Sequence, residues 1–152
     1  MFKRFTADVK PVIKQAVKEA HQNASPSVEP EHILLALSDC DWAQRIGLNH
    51  QQIKDALVEE ERVSLQAVGV DVDADALQVS GEGAPDEVKG NLPFSAPAKL
   101  ALSRGLKITA DERKHAYGLR ELLLGLLAAD GGRVDRTLKV AGIDVEQLRK
   151  LA

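Results

Sequence analysis

The feature that most constrains the fold is an internal duplication. Three motifs occur twice in the same order: FTADVK at 5–10 and FSAPAK at 94–99, HILLAL at 32–37 and ELLLGL at 121–126, and GLNHQQI at 47–53 and GIDVEQL at 142–148. The first two pairs share one offset, and the third pair has a slightly longer one. Such self-similarity is typical of a copied supersecondary unit that packs on its own copy. The sequence therefore predicts two related halves, with a short deletion in the first.

Both halves have the apolar spacing of helices. Val9, Ile13 and Val17 lie at four-residue steps, which predicts an amphipathic helix near residues 7–22. We expect Thr6 to cap this helix, and because Pro11 does not fit its fifth position, either the regular helix begins nearer Asp8 or it kinks at Pro11. Further helices are predicted to begin at Pro30, Asn49, Ser95, Leu119, Val134 and Val145, and Gly142 is expected to be left-handed.

Aromatic content supports this fold class. The chain has three Phe, one Trp and one Tyr among 152 residues, whereas sandwiches and barrels are usually rich in aromatic and β-branched side chains. We therefore predict an all-α protein of two pseudo-symmetric four-helix repeats, with about eight helices.

Charge divides the chain into three parts. Residues 1–64 have a net charge of −2, residues 65–90 of −5, and residues 91–152 of +4. Three glycines and a proline lie between Ser80 and Gly90, and this composition is typical of a solvated connector. We predict one domain over 1–152, made of a first repeat (1–64), an acidic linker (65–92) and a second repeat (93–152).

The sequence lacks the signatures of enzymes. No glycine precedes a lysine, which excludes a P-loop, and the four histidines are too scattered to predict a metal site from their spacing. The single cysteine, Cys40, lies between two aspartates that would raise the pKa of its thiol. One cysteine also excludes an internal disulfide, which is typical of a reducing cytoplasm. We predict a cytoplasmic, non-enzymatic protein without cofactor or metal.

One acidic pattern resembles a calcium-binding loop. Asp71, Asp73, Asp75 and Glu82 fit positions one, three, five and twelve of an EF-hand. The sixth position requires a sharp turn that glycine adopts, and Ala76 stands there instead. We therefore interpret the segment as part of the acidic linker.

A second pattern, at residues 138–148, resembles a helix-turn-helix, and a small helical DNA-binding regulator is the alternative function. Asp144 and Glu146 would place negative charge at the start of the recognition helix, facing phosphates. The overall charge of −3 is also too balanced for a protein that coats nucleic acid. An ordinary helix hairpin is favoured, with neither nucleic acid nor membrane as partner.

The repeated motifs resemble a known family. The segments FKRFT at 2–6, VEPEHILLAL at 28–37, PFSAPAK at 93–99 and LLLGL at 122–126 are similar to the Clp repeat, the N-terminal domain of Clp chaperone ATPases, and most of all to its ClpC branch. The resemblance covers nearly the whole chain and implies two four-helix repeats. No ATPase module follows them, so the chain resembles a free-standing Clp-repeat protein, and an excised domain of a full-length Clp ATPase is the alternative.

The resemblance implies a phosphoarginine site in each repeat, formed by an acidic residue and a hydroxyl. A carboxylate would pair with the guanidinium, and a helix start with its hydroxyl would receive the phosphate. Glu31 and Thr6 match these positions in the first repeat, where Pro30 replaces the family's threonine. In the second repeat Ser95 keeps the hydroxyl, but Arg120 replaces the acid. We expect that second site to be lost. The alternative is that Glu31 and Thr6 only begin helices.

The resemblance also implies an apolar groove between the repeats that binds hydrophobic peptides or cyclic peptides. Phe2 and Phe94 match its aromatic positions, and Lys10 and Lys99 match its flanking cations. We expect Phe5 to be buried and Phe2 and Phe94 to be partly exposed. The expected function is an adaptor, decoy or regulator of a Clp unfoldase–protease, with the Clp ATPase or its client proteins as partners.

Overall fold

The computed structural model describes residues 5–69, 92–113, 116–129 and 132–152, and eight helices lie in these ranges. They are α1 (Val9–Gln22), α2 (Pro30–Ser38), α3 (Asp41–Arg45), α4 (His50–Ala67), α5 (Ala96–Asp111), α6 (Leu119–Leu127), α7 (Arg133–Val140) and α8 (Val145–Leu151). Apart from two isolated β-bridges, the described residues contain no strand pairing. The prediction of an all-α fold is confirmed.

The two repeats match helix for helix, as predicted. Four helices form each repeat, and α2 and α6 occupy the same register of the duplication. The backbone repeats as well, because Ala24 after α1 and Arg113 after α5 are both left-handed, with φ of 54° and 56°. Gly47 and Gly142 have φ of 101° and 76° before the last helix of each repeat. These matching turns support a duplication of one four-helix unit.

The last helix of each repeat begins with the same kind of cap. The Asn49 side chain accepts a hydrogen bond from the Gln52 N–H at 3.0 Å, as the sequence predicts. The equivalent Asp144 carboxylate accepts from the Glu146 N–H at 3.0 Å. Each cap satisfies a backbone donor that the first turn leaves without a partner.

The first helix begins directly after Asp8, which is one of the two alternatives that Pro11 left open. Asp8, not Thr6, is the N-cap of α1, so the prediction that Thr6 caps this helix is wrong. Pro11 consequently occupies the third helical position, where an intrahelical hydrogen bond from its nitrogen is not required. The proline thus fixes where the helix begins, because further toward the middle it would break a bond.

The core centres on α2. All residues from Glu31 to Ser38 are buried, because α2 packs against α1 and α4 of its own repeat and against α6 and α7 of the other. The four apolar residues Ile33, Leu34, Leu35 and Leu37 are at most 3% exposed. A nine-residue helix buried on all sides requires a continuous apolar run rather than a stripe, and the sequence supplies one.

Several predictions fall wholly or partly outside the described residues. The linker predicted for 65–92 overlaps the end of α4, which continues to Ala67, and otherwise lies largely outside the described ranges, as do the EF-hand-like positions and Phe2. Within the ranges described, no group of three His, Cys, Asp or Glu side chains could hold a metal ion. In the same ranges no helix is long and apolar enough to cross a bilayer.

Candidate functional site

In each repeat, the segment before the first helix pairs with the segment before the second helix of the other repeat. Phe5 of the first repeat forms a parallel β-bridge with Tyr117 of the second, and Phe94 of the second forms one with Val28 of the first. The Thr6 N–H donates to the Tyr117 carbonyl at 2.9 Å, and the Ser95 N–H donates to the Val28 carbonyl at 3.0 Å. We call the residues of these two contacts the seam: Phe5, Thr6, Val28, Phe94, Ser95 and Tyr117.

The aromatic residues of the seam differ in burial. Phe5 is 7% exposed, as predicted, and its ring packs on Tyr117 with centroids 4.8 Å apart at 60°. Phe94 is only partly buried and packs against the edge of the core, which agrees with the expected partial exposure. The seam therefore presents one aromatic side chain, Phe94, partly to solvent.

The pairing of the two repeats also determines where the hydroxyl groups of Thr6 and Ser95 lie. The Thr6 side chain lies beside Gly118, 3.9 Å from the position that a Cβ would occupy there, and its hydroxyl donates to the Asp8 carboxylate. It thus lies at the start of α6 in the second repeat. The Ser95 hydroxyl accepts from the Ala98 N–H at 3.2 Å and caps α5, as predicted. Because Ser95 pairs with Val28, it lies at the approach to α2.

Glu31 lies in an ionic cluster between the repeats. Glu31 is 6% exposed, and its carboxylate accepts a hydrogen bond from Arg133 Nη1 at 2.7 Å. Arg133 also contacts Glu60 at 3.2 Å and Glu61 at 3.5 Å, and Arg136 Nε donates to Glu60 at 2.8 Å. We call these five side chains the Arg133 cluster. It joins α2 and α4 of the first repeat to α7 of the second.

Burial and pairing oppose each other at the two buried carboxylates of this cluster. Burial raises the pKa of Glu31 even though Arg133 acts to lower it. Burial alone would also raise the pKa of Glu60, but hydrogen bonds from Arg136 and Ser64, together with the charge of Arg133, hold that pKa below its usual value. The Arg133 Nε lies near Glu60 but is not aligned to donate a hydrogen bond, so the pair is an electrostatic contact.

The start of α2 is capped by the side chain of His32, for which the sequence analysis predicted no such role. The Glu29 N–H donates to His32 Nδ1 at 2.9 Å, and at the equivalent place the Gly118 N–H donates to Glu121 Oε2 at 3.1 Å. Burial lowers the pKa of His32, and the accepting nitrogen requires the neutral ring. Pro30 is the first residue of α2, where its missing N–H removes no intrahelical bond.

At the matching position of the second repeat the charge is reversed. Arg120 lies one residue after the start of α6, where Glu31 lies in α2. Its guanidinium forms a hydrogen bond with Glu112 at 2.8 Å and lies 3.6 Å from Glu121. Hydrogen bonding to Glu112 raises the pKa of Arg120. A cation therefore holds the position that carries a carboxylate in the first repeat.

No protein-family model matches the chain. The N-terminal domain of the caseinolytic protease associated chaperone ClpD from Arabidopsis thaliana is similar, with a TM-score of 0.72 and 21% identity over 99% of this chain and 93% of that one. The chain has the fold of a Clp N-terminal domain. The predicted resemblance is confirmed at the level of the fold.

Two further solved structures share this Clp N-terminal fold. The Hsp104 N-terminal domain from Candida albicans has a TM-score of 0.60 and 22% identity over 97% of this chain and 87% of that one. A structure from a malarial protein secretion system has a TM-score of 0.68 and 18% identity over 97% of this chain and 90% of that one. Identities this low relate backbones and do not transfer the roles of side chains.

Four further charged side chains lie in the two repeats, and the sequence predicted a role for only two of them. Lys10 and Lys99 are exposed at the starts of α1 and α5, one in each repeat. Arg133 and Arg136 were not predicted, although they lie at helical spacing in a basic segment and the acidic run at 59–61 could have suggested their partners. The Clp N-terminal fold here thus combines an aromatic seam with a neighbouring ionic cluster.

Proposed function

We propose that the chain is a non-catalytic module that binds polypeptide and acts beside a cytoplasmic Clp unfoldase as an adaptor, decoy or regulator. The observation that carries this proposal is the Clp N-terminal fold, which matches over 99% of the chain. The similar ClpD domain belongs to a chaperone associated with a protease.

Phe94 is the proposed apolar contact for the bound polypeptide. It lies on the second bridge of the seam and is partly buried against the core. A rigid, partly exposed aromatic anchor is the kind of side chain that dominates binding energy in interfaces. Ser95 and Lys99 follow it at the start of α5, so a polar and a cationic group flank the apolar contact. Phe2 and Lys10 are the proposed counterparts in the first repeat.

Binding of an unfolded polypeptide to the chain tests this function. A fluorescently labelled, permanently unfolded protein would be titrated with the chain and with Phe94→Ala, and anisotropy would give Kd. We expect Phe94→Ala to weaken binding by about tenfold or more, because loss of an anchor costs about 1.4 kcal/mol or more. Leu100→Ala is the matched control, because Leu100 is 49% exposed on α5, the helix that follows Phe94, and lies outside the seam.

Two outcomes would overturn the proposal. Absence of any polypeptide binding by the wild-type chain would refute the function itself. Equal losses in Phe94→Ala and Leu100→Ala would refute the seam as its location. Circular dichroism of both variants, recorded before each titration, separates a loss of binding from a loss of fold.

A further inference from the structure

The first helix of each repeat carries exposed lysines at matching positions. The duplication relates three exposed positions of α1 to three of α5, and they are Lys10, Lys14 and Lys18 in α1 and Lys99, Ser103 and Lys107 in α5. Residues four apart lie on the same side of a helix, so each set forms a row about 12 Å long at about 1.5 Å per residue. We call the five lysines of these two sets the lysine rows.

The lysine rows have no acidic partner within the described part of the chain. None of the five ammonium groups forms an ion pair there. The first acid of α1 is Glu19, which is buried and accepts from Gln15 at 3.3 Å, and the first acid of α5 is Asp111 at its end. By contrast, Arg120 and Arg133 each pair with a carboxylate. The rows therefore carry positive charge that no described group of the chain neutralises.

The lysine rows also begin where a cation is unfavourable for the helix itself. Lys10 is the second residue of α1 and Lys99 the fourth of α5, and neither helix has an acid in its first turn. The dipole of a helix disfavours positive charge near its N-terminus. An Asp or Glu lies instead in the first turn of each of α2, α3, α6, α7 and α8. Helix stability therefore does not account for the lysines at these positions.

We propose that the lysine rows bind an extended acidic segment of a polypeptide partner. This inference rests on the proposed function, because it names the chemistry of the polypeptide. Lysines of one row are about 6 Å apart along the helix axis, and an extended segment advances about 6.6 Å in two residues, so acids at alternate positions can each meet a lysine. Both rows begin next to the seam, because α1 follows Thr6 and α5 follows Ser95. A segment on a row therefore leads to the proposed apolar contact at Phe94.

A polypeptide fits the lysine rows better than a nucleic acid or a bilayer. All five cations are lysines, and an ammonium group lacks the planar fork of donors with which arginine recognises phosphate. A duplex or an anionic membrane presents a broad negative surface, which the net charge of −3 opposes. A single acidic segment contacts the rows alone and avoids this repulsion.

The test compares variants of equal net charge. A fluorescent peptide of alternating aspartate and alanine would be titrated against wild type, Lys14→Gln with Lys18→Gln, and Lys54→Gln with Lys150→Gln. Lys54 and Lys150 are exposed on α4 and α8, outside the rows, so the second pair controls for the loss of two charges. We expect the row variant to bind about fivefold more weakly and the control to change by less than about twofold, because exposed ion pairs act over short distances. Circular dichroism checks the fold of both variants.

Salt and the charge of the peptide test the electrostatic nature of binding. Raising the ionic strength from about 0.1 M to about 1 M shortens the Debye length from about 10 Å to about 3 Å and should remove most of the difference between the variants. A peptide with asparagine in place of aspartate should bind at least about tenfold more weakly. Equal losses in the two double variants would overturn the proposal, as would tighter row-dependent binding of duplex DNA or anionic vesicles than of the peptide.

The chain itself contains acids at the same alternate spacing, Asp71, Asp73 and Asp75. Replacing all three by asparagine should change the affinity for the peptide by less than about threefold; a larger gain would mean that these residues compete for the rows, and would overturn the assignment to a partner. If wild type does not bind the acidic peptide but still binds an unfolded protein through Phe94, this inference is refuted and the proposed function stands.

Discussion

Tyr117 and Gly105 form a compensating pair that is absent from the first repeat. Their equivalents in the duplication are Val28 and Ala16, so the second repeat has a larger side chain opposite a smaller one. Tyr117 is fully buried, and a Cβ added to Gly105 would lie 2.1 Å from its hydroxyl oxygen and 2.5 Å from Cζ. The glycine therefore makes room for the tyrosine ring between α5 and α6.

The expected energies follow from this contact. Gly105→Ala gains about 1 kcal/mol of helix propensity, but overpacking costs about 3 kcal/mol, the upper end of its usual range, since the same Cβ would also approach the Glu121 carbonyl at 2.7 Å. We expect a net loss of about 2 kcal/mol in the free energy of unfolding. Tyr117→Val removes a buried ring and should cost about 2–4 kcal/mol. The double variant restores the first-repeat pair and should cost about 2 kcal/mol less than the sum.

Urea denaturation followed by Trp42 fluorescence and circular dichroism measures each free energy. Ser103→Ala, exposed on the same helix, is the control and should change stability by less than about 0.5 kcal/mol. Additive losses from Gly105→Ala and Tyr117→Val would refute the compensation. Tyr117→Phe separates the hydroxyl from the ring: its hydroxyl has no hydrogen-bond partner among the described residues, so removing it should be neutral or stabilising by about 1 kcal/mol.

Two further predictions concern titrating groups. Burial lowers the pKa of His32, so its contribution to stability is present above pH 6.5 and is lost as the pH falls below that value. Urea denaturation at pH 7 and 5.5 should show this loss, and His32→Gln, whose amide can still accept from Glu29, should show less of it; equal losses would contradict the assignment. Burial, with smaller effects of Asp39, Asp8 and Asp41, raises the pKa of the Cys40 thiol. Its reaction with a disulfide reagent at pH 8 should be several-fold slower than in urea-unfolded protein, and equal rates would contradict this expectation.

Local features of the fold could be predicted from the sequence. The cap at Asn49 and the left-handed Gly142 depend on a few neighbouring residues, and both are found as expected. For α1 the sequence left two alternatives, and the start nearer Asp8 is found, while the Thr6 N–H donates to the Tyr117 carbonyl. That bond joins distant parts of the chain, and no local pattern contains it. The short α3 was also missed, since five residues carry too little periodicity.

The candidate site was harder to predict than the fold. Motif matching paired Thr6 with Glu31 because both belong to the first repeat. The backbone bond at the seam places Thr6 beside Gly118, at the start of α6 in the other repeat. Arg133 was missed for the same reason, because its partner in α2 is fixed only by the packing of one repeat on the other. Spacing within a repeat predicts helices, but contacts between repeats decide which side chains meet.

Divergence of charge after the duplication gives the two helix starts opposite character. At the start of α2, Glu31 receives Arg133 from the other repeat, whereas at the start of α6, Arg120 pairs with Glu112 of its own repeat. The two side chains occupy the same register position, so the sign of the charge is reversed there while the backbone is shared. The carboxylate joins the two repeats, whereas the guanidinium stabilises a contact within one repeat. The duplicated unit therefore kept its backbone while this position acquired a different structural role in each copy.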